Sequence, residues 1–299
     1  MKKILVVDIG GTFIKYGLMT DGTLGIVQKR ETPKKSDTFK AFLKQLYDEQ
    51  TEPVHGVSIS MPGIINADTG FAVHGGSLEF IRQMNILAYY QSIFNCPIAV
   101  ENDARCAIIG EMNLGQLKDV NNAIMIVLGT GVGGGLLVNG QIIRGAHQSA
   151  GELSFVQTNS SMVMTDFFGL KNSVYSLLKP FAQSINKQTH EVNGELFFEA
   201  VKTGNQDAQH ILYTYCNSLA LQIWNLQTIL DPEKIVIGGG ISSQTILLDY
   251  LKSELKKILG SISIRPLFQV ISPSVVLSSV GNNANLIGAY FHFIQKHGK

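Results

Sequence analysis

The sequence predicts an α/β protein of two domains, each built on a mixed sheet. At 299 residues the chain is long for one hydrophobic core and comfortable for two. Apolar runs of strand length alternate with stretches of helical spacing, the pattern of layered α/β domains. One supersecondary unit also occurs twice, as apolar strand, glycine turn, second strand and hairpin turn, and it heads each expected domain.

In the first copy residues 4–7 are apolar, Asp8-Ile9-Gly10-Gly11-Thr12 is a tight polar turn, and 13–19 resume as a strand ending at Asp21-Gly22. Strand, turn, strand and hairpin signal give an antiparallel start to a sheet. Phe39, Phe42, Leu43 and Leu46 lie at helical spacing within 36–49, and 54–60 is a strand that Pro62-Gly63 forces into a turn. Residues 83–94 are expected to be helical, 97–100 form a strand that runs into Glu101-Asn102-Asp103, and 104–113 a helix. In the second copy 123–128 is the first strand, Gly129-Thr130-Gly131-Val132-Gly133-Gly134-Gly135 the turn, and 136–138 the second strand, closed by Asn139-Gly140 before 141–143. A short apolar piece at 152–156 follows, then a mostly helical stretch at 162–181 and a long helix at 205–230. A buried-type strand at 235–237 enters Gly238-Gly239-Gly240; a helix at 243–259, a strand near 268–271 and a last helix at about 282–295 complete the pattern.

Composition excludes several classes of partner. The 24 basic and 23 acidic residues leave a net charge of +1 with no long run of either sign, which argues against nucleic acid and anionic membrane surfaces. Cys96, Cys106 and Cys216 are far apart and set in apolar surroundings, so they read as buried thiols of a cytoplasmic protein. The apolar run at 4–7 is too short for a signal-peptide core. Residues 120–143 carry no charge, yet the glycines and the Asn139-Gly140 turn break them into two short strands, which excludes a membrane span.

Chemistry concentrates at strand ends. Asn102 and Asp103 stand where a strand meets a helix, so either can cap the first turn, and Asp103 can also take a proton from a substrate hydroxyl. The glycine turns at Gly10-Gly11-Thr12, Gly129 to Gly135 and Gly238 to Gly240 each directly follow an apolar strand, and such turns let backbone N–H groups approach a phosphate. Gly129 to Gly134 also satisfies G-x-G-x-x-G, but a strand rather than a helix follows it, which excludes a dinucleotide fold; no Walker motif occurs. Asp8, beside the first turn, could hold Mg²⁺ through water or cap its own turn.

Asp8-Ile9-Gly10-Gly11-Thr12, Glu101-Asn102-Asp103-Ala104, the turn from Gly129 to Gly135 and Ile235-Val236-Ile237-Gly238-Gly239-Gly240-Ile241, in this order and spacing, resemble the sugar kinases of the ROK family in the hexokinase/actin-like superfamily. The resemblance spans nearly the whole chain. It implies two ribonuclease-H-like lobes with mixed sheets around a central cleft, with residues 1–117 and 282–299 in the first lobe and 118–281 in the second. It implies ATP and Mg²⁺ as cofactors, a sugar as the small-molecule partner, and a homodimer. Asp8, Gly10, Gly11, Thr12 and Lys15 would serve ATP from the first turn, Gly129, Thr130, Gly131 and Gly133 from the second, and Gly238, Gly239 and Gly240 would lie near the adenosine. Asp103 would be the base, with Gly63, Asn102 and Glu152 on the sugar. Repressors of the family carry a winged helix ahead of the first turn; seven residues precede Asp8 here, so a kinase is expected.

One departure bears on the substrate. Most kinases of the family continue to Gly-Glu-Ile-Gly-His and a cysteine-rich zinc motif, whereas this chain reads Ala150-Gly151-Glu152-Leu153-Ser154-Phe155 and has no cysteine in 156–180, so no zinc is expected. His147 reads as a hydrogen-bonding loop residue. In the zinc-containing relatives that histidine serves the anomeric end of glucose, and an aromatic residue in its place suits an apolar face or a second ring. Phe155 is therefore a candidate sugar contact, the other reading being that it fills the space of the missing motif. The expectation is a kinase of β-glucosides such as cellobiose, acting at the C6 hydroxyl. The alternatives are a zinc-free glucokinase, an N-acetylhexosamine or mannose kinase, and a non-catalytic sugar sensor.

Overall fold

A single strand plan is used twice in the computed structural model, which describes residues 2–161, 163–262 and 271–298. Contacts divide the chain into one unit of Met1–Lys118, Arg144–Ala150 and Asn283–Lys299 and another of Asp119–Ile143 and Gly151–Asn282.

The first unit opens with β1 (Lys3–Ile9), β2 (Phe13–Thr20), β3 (Thr23–Leu24) and β4 (Gln28–Glu31), followed by helix α1 (Ser36–Asp48) and β5 (Gly56–Met61). Next come β6 (Ile64–Ile65), β7 (Phe71–Gly75), β8 (Leu78–Asn85), α2 (Ile86–Gln91), β9 (Ile98–Asn102) and α3 (Asp103–Leu114). Its main sheet runs β3-β2-β1-β5-β9, antiparallel through the hairpin and parallel from β1 onward, with β4 paired to β2. In the second unit β10 (Ala123–Leu128), β11 (Val132–Val138) and β12 (Gln141–Ile142) precede α4 (Phe168–Lys171), α5 (Val174–Ser184), α6 (Gly194–Lys202) and α7 (Gln206–Leu230). β13 (Lys234–Gly239), α8 (Thr245–Ile262) and β14 (Val275–Leu277) complete it, and α9 (Ala284–His297) belongs to the first unit. The second sheet, β12-β11-β10-β13-β14, repeats the antiparallel, antiparallel, parallel, parallel sequence of the first.

Continuous burial explains the composition of the central strands, since a strand covered on both faces loses its polar alternation. Every residue of β1 but Lys3 is buried. Leu5, Val7 and Ile9 share a core with Phe39, Leu43 and Leu46 of α1, while α9 packs on β1, β5 and β9. Ser58 is buried within β5 because its hydroxyl donates to the Ala289 carbonyl of α9 at 2.6 Å. In the second unit Ile124, Ile126 and Leu128 pack with Leu212, Leu219 and Ile223 of α7. That helix starts on Asn205, whose side chain accepts from Ala208 N at 2.9 Å, and stops where Asp231 turns left-handed before Pro232.

Four expectations change. The helix expected at 83–94 is half strand: 83–85 close β8, Gln83 takes a positive φ of 49°, and only at the Asn85 cap does helix begin. The second glycine turn is shorter than seven residues, because Gly133, Gly134 and Gly135 pair with Val127, Ile126 and Met125 inside β11. The stretch 162–181 is broken into a 3-10 turn at Met164–Asp166, α4 and α5. Of the strand expected near 268–271, residues 268–270 lie outside the described residues, and the strand beside β13 is β14. The small sheet β6-β7-β8 and helix α6 had no counterpart in the sequence reading.

α3 and α9 meet at a glycine. A Cβ on Gly288 would lie 1.6 Å from the Cys106 carbonyl oxygen. Gly288→Ala must therefore push the helices apart, and we expect a loss of about 3 kcal/mol in urea unfolding. Gly260, inside α8 with no atom within 4 Å of its added Cβ, is the control; Gly260→Ala should gain about 0.5–1 kcal/mol.

Candidate active site

Parallel pairing aligns the carboxyl ends of β1, β5 and β9. Asp8 lies opposite Ser60, Ser60 opposite Glu101, and Met61 opposite Asn102. Ligands of open α/β sheets gather at such ends.

At the end of β9, Asn102 caps α3: its Oδ1 accepts from Arg105 N at 3.1 Å, and its Nδ2 donates to the Gly63 carbonyl at 3.1 Å. Gly63 has a φ of 112°, and a Cβ there would sit 2.0 Å from the His74 carbonyl oxygen, so only glycine can offer that carbonyl. Capping thus falls to Asn102, which keeps one N–H for other work. Asp103 is the first helical residue, and its Oδ1 accepts from Ala104 N at 2.8 Å. From Ile98 to Glu111 it is the one residue that is not buried.

Two carboxyls crowd this end of the sheet. Burial, then the charge of Asp8, pushes the Asp103 carboxyl up to about 6, while the Ala104 N–H and Arg105 pull the other way. Asp8 is also raised, by burial, although Asn285, Lys15 and Ser60 oppose the shift. Its Oδ1 accepts from Ser60 Oγ at 2.8 Å and Asn285 Nδ2 at 2.9 Å. Lys15 is its register partner on β2.

Beneath them lies Glu101, with no exposed surface. Its Oε1 accepts from Asn102 N at 2.9 Å and Arg105 Nη1 at 3.4 Å, and its Oε2 from Arg144 Nη2 at 2.6 Å and Nε at 3.2 Å. Arg105 is fully buried and also reaches the carbonyls of Ile65 and Gln148. His147 is exposed on the same short segment as Arg144 and Gln148.

The glycine turns differ in what holds them. At the first, Gly10 N donates to Phe13 O, and Thr32 bonds the carbonyls of Gly10 and Thr12. At the second, Gly129 N donates to Gly131 O, and Ser154 Oγ bonds both N and O of Val132. Among the described residues the N–H groups of Gly11 and Thr12, and of Thr130 and Gly131, find no acceptor. Each turn thus offers two consecutive amides, which suits an anion.

Within the second unit, β10 and β13 end side by side, with Leu128 opposite Gly239, so the second and third glycine clusters share one sheet edge. Gly239 is there for the fold: its φ is 93° and an added Cβ would meet the Leu128 carbonyl oxygen at 2.1 Å, whereas at Gly238 an added Cβ would meet only the flexible end of Met125, its Cε at 2.3 Å. Gly240 is different, since nothing lies within 4 Å of its added Cβ and it lines a cavity of about 380 Å³. Val174 lines the same cavity and donates its N–H to Gly129 O at 2.8 Å. Gly133 is withdrawn into β11, away from the turn tip.

Glu152 precedes the 3-10 turn Leu153–Phe155 and is half-buried. Phe155 is 62% exposed and meets Phe167 edge-on at 6.5 Å, so it does not fill an interior void. In the segment after it Asp166 is the hub: its carboxylate takes Ser161 Oγ and, at 3.3 Å, Lys171 Nζ, and its carbonyl takes Thr158. Among the described residues no three His, Cys, Asp or Glu side chains converge as a metal site. The three cysteines are free; Cys106 and Cys216 are buried, and Cys96 is only half-buried. No described helix is long and apolar enough to cross a membrane.

Residues 4–296 match the ROK family. The chain belongs to the ROK family. The beta-glucoside kinase of Klebsiella pneumoniae is 30% identical over 298 residues, covering 98% of this chain and 96% of that protein. The beta-glucoside kinase of Listeria monocytogenes serovar 1/2a is 28% identical over 302 residues, covering 99% of each. Among solved structures the Lmo2764 protein of Listeria monocytogenes, 26% identical, superposes with a TM-score of 0.86 over 98% of this chain and 99% of that one. The fold is that of the actin-like ATPases.

Sequence reasoning missed Ser60, Arg105, Arg144 and Asn285. A glutamate closing an apolar strand signals a buried charge in need of cations, but nothing local names Arg144 as one of them. Removing that buried charge strands both guanidinium groups. Glu101→Ala should cost about 3–5 kcal/mol by chemical denaturation, with Glu101→Gln intermediate.

Proposed function

We propose that the chain is an ATP-dependent sugar kinase that transfers the γ-phosphoryl group to the C6 hydroxyl of a β-glucoside such as cellobiose. The observation that carries this reading is Asp103, a carboxyl of raised basicity at a strand-to-helix junction and the one residue of its stretch that meets solvent. Whole-length similarity to beta-glucoside kinases supports the acceptor class. The exposed Phe155 ring, with Phe167 edge-on beside it, offers a flat apolar face for the second ring of a glycoside.

In this reading residues 1–117 and 282–299 form the lobe of the base and first phosphate turn, and 118–281 the lobe of the second turn and the adenosine. The sugar oxygen attacks the γ-phosphorus, the bond to the bridging oxygen breaks, ADP leaves, and Asp103 takes the hydroxyl proton. Asn102, through its remaining N–H, Gly63 and Glu152 orient the ring hydroxyls. Gly11 and Thr12, with Lys15, and Thr130 and Gly131 meet phosphate oxygens through free amides and one cation, and Gly129 and Gly240 leave room for the nucleotide. Gly10, Gly133, Gly238 and Gly239 shape the turns. Mg²⁺ enters with ATP as part of the substrate and offsets phosphate charge; Asp8, a buried carboxylate whose Oδ1 accepts from Ser60 and Asn285, fits it as a ligand.

Release of ADP, with ATP and Mg²⁺, is to be compared across glucose, mannose, N-acetylated hexosamines, cellobiose and aryl β-glucosides. The β-glucosides should lead glucose by about tenfold or more in kcat/KM, in line with the loss of polar contacts at the anomeric end; a preference for free glucose overturns the acceptor assignment. Because Asp103 must be ionised to act, kcat/KM should fall about tenfold per pH unit below about 6. The same raised value means that the folded state holds the Asp103 proton more tightly than the unfolded chain. Its stabilising contribution is full below about 3.8 and is lost as pH rises through about 6. At neutral pH Asp103→Asn should therefore lower kcat by about 10²–10⁴ and raise Tm by about 2–4 °C.

A further inference from the structure

Three successive carbonyls of the first glycine turn are held by one short segment of the chain. β4 pairs with β2 as far as Glu31 opposite Phe13, and Thr32 N carries the ladder one step further by donating to Thr12 O at 2.9 Å. Thr32 is buried, and its Oγ1 donates to Gly10 O at 2.8 Å. Two residues on, the exposed Lys34 donates its Nζ to Gly11 O. The carbonyls of Gly10, Gly11 and Thr12 are thus all taken by residues 32–34.

The consequence for the amides follows from the peptide unit. It is planar, and trans throughout the described residues, so each N–H points opposite to the carbonyl of the residue before it. Holding Gly10 O therefore sets the direction of Gly11 N–H, and holding Gly11 O sets that of Thr12 N–H. These are the two amides of the turn that find no acceptor among the described residues. Both held carbonyls belong to glycines, whose backbone rotates most freely, so the direction of the amides depends on the bonds from Thr32 and Lys34. The ammonium on Gly11 O also polarises that peptide, which strengthens the Thr12 N–H as a donor.

We propose that Thr32 and Lys34 are positioning residues for the phosphoryl donor, aiming the Gly11 and Thr12 amides at phosphate before it arrives. The proposal rests on the kinase reading for the identity of the anion. The Thr32 hydroxyl is buried and committed to Gly10 O, so it acts through the turn and does not touch the nucleotide.

The test compares Thr32→Val, Thr32→Ser, Lys34→Met and Lys34→Arg, with Lys35→Met as a charge control, since Lys35 is also exposed and lies one residue along. Calorimetry with AMPPNP and Mg²⁺ gives the nucleotide Kd, ADP release with the best sugar of the substrate series gives KM for both substrates, and Tm reports folding. Thr32→Val and Lys34→Met should each weaken AMPPNP binding and raise KM for ATP by about tenfold, the lower end of what a hydrogen bond to a charged group contributes. KM for the sugar should hold, and Thr32→Ser and Lys34→Arg, which keep a donor, should recover most of the loss. Should Thr32→Val fail to fold, the exposed Lys34 pair decides. Unchanged AMPPNP affinity in Thr32→Val or Lys34→Met, an equal loss in Lys35→Met, or an equal rise in both KM values overturns the assignment and leaves the kinase reading standing. No ADP release with any sugar by the unmodified protein overturns the kinase reading instead, and the AMPPNP series then decides the role of Thr32 and Lys34 alone. Failure of the unmodified protein to bind AMPPNP overturns both.

Discussion

A fully buried carboxylate two residues ahead of the proposed base organises the first unit. Glu101 cannot be solvated, so it must be surrounded by donors, and these come from three parts of the chain. Its own strand supplies the Asn102 N–H and α3 supplies Arg105. Arg144 arrives from a segment that follows the second hairpin. Arg105 then ties in the carbonyls of Ile65 and Gln148, so one charge fixes β6, β9, α3 and the 144–150 segment together. The direction of α3, and with it the exit of Asp103 toward solvent, follows from that arrangement and from the Asn102 cap.

Above this neutralised layer the electrostatics are left unbalanced. Burial raises the proton affinity of both Asp8 and Asp103, the charge of Asp8 raises that of Asp103 further, and the bonds from Ser60, Asn285 and Ala104 offset this only in part. A folded chain gains no stability from such a pair at neutral pH. Residues that depart from the locally most stable choice concentrate where a substrate is to complete the site. The glycines sort on the same criterion: Gly63 and Gly239 are demanded by neighbouring backbone atoms, whereas Gly240 borders open space.

What could be read from the sequence was what short-range chemistry determines. The two hairpin heads, the strand into Glu101-Asn102-Asp103 and the long helix ending at Asp231-Pro232 each carry their own apolar period and stop signal. The mixed sheets follow from the repeated unit. Residues 83–94 misled because Ile86, Leu87 and Tyr90 do have helical spacing, while the strand half is set by pairing with β7, which no local pattern announces. The run Gly133-Gly134-Gly135 looks like a turn in sequence but is strand, because β11 must let Gly151 and Leu153 approach within contact of Gly134. At the site, Asp8, Gly63, Asn102 and Asp103 were legible as motif residues. Their partners were not, because Arg144 and Asn285 lie far along the chain and are brought near only by the fold.

The helix that covers β1, β5 and β9 is α9, and Gly288 lets it seat against α3. All the strands it covers precede it by well over a hundred residues. During synthesis on the ribosome the second unit emerges entire while the sheet of the first still has one face bare. A chaperone or a nascent-chain contact would find that apolar face, and the Asn285 bond to Asp8 cannot form until α9 has been made. Completion of the proposed active site therefore waits on a helix that follows the whole second unit in the chain.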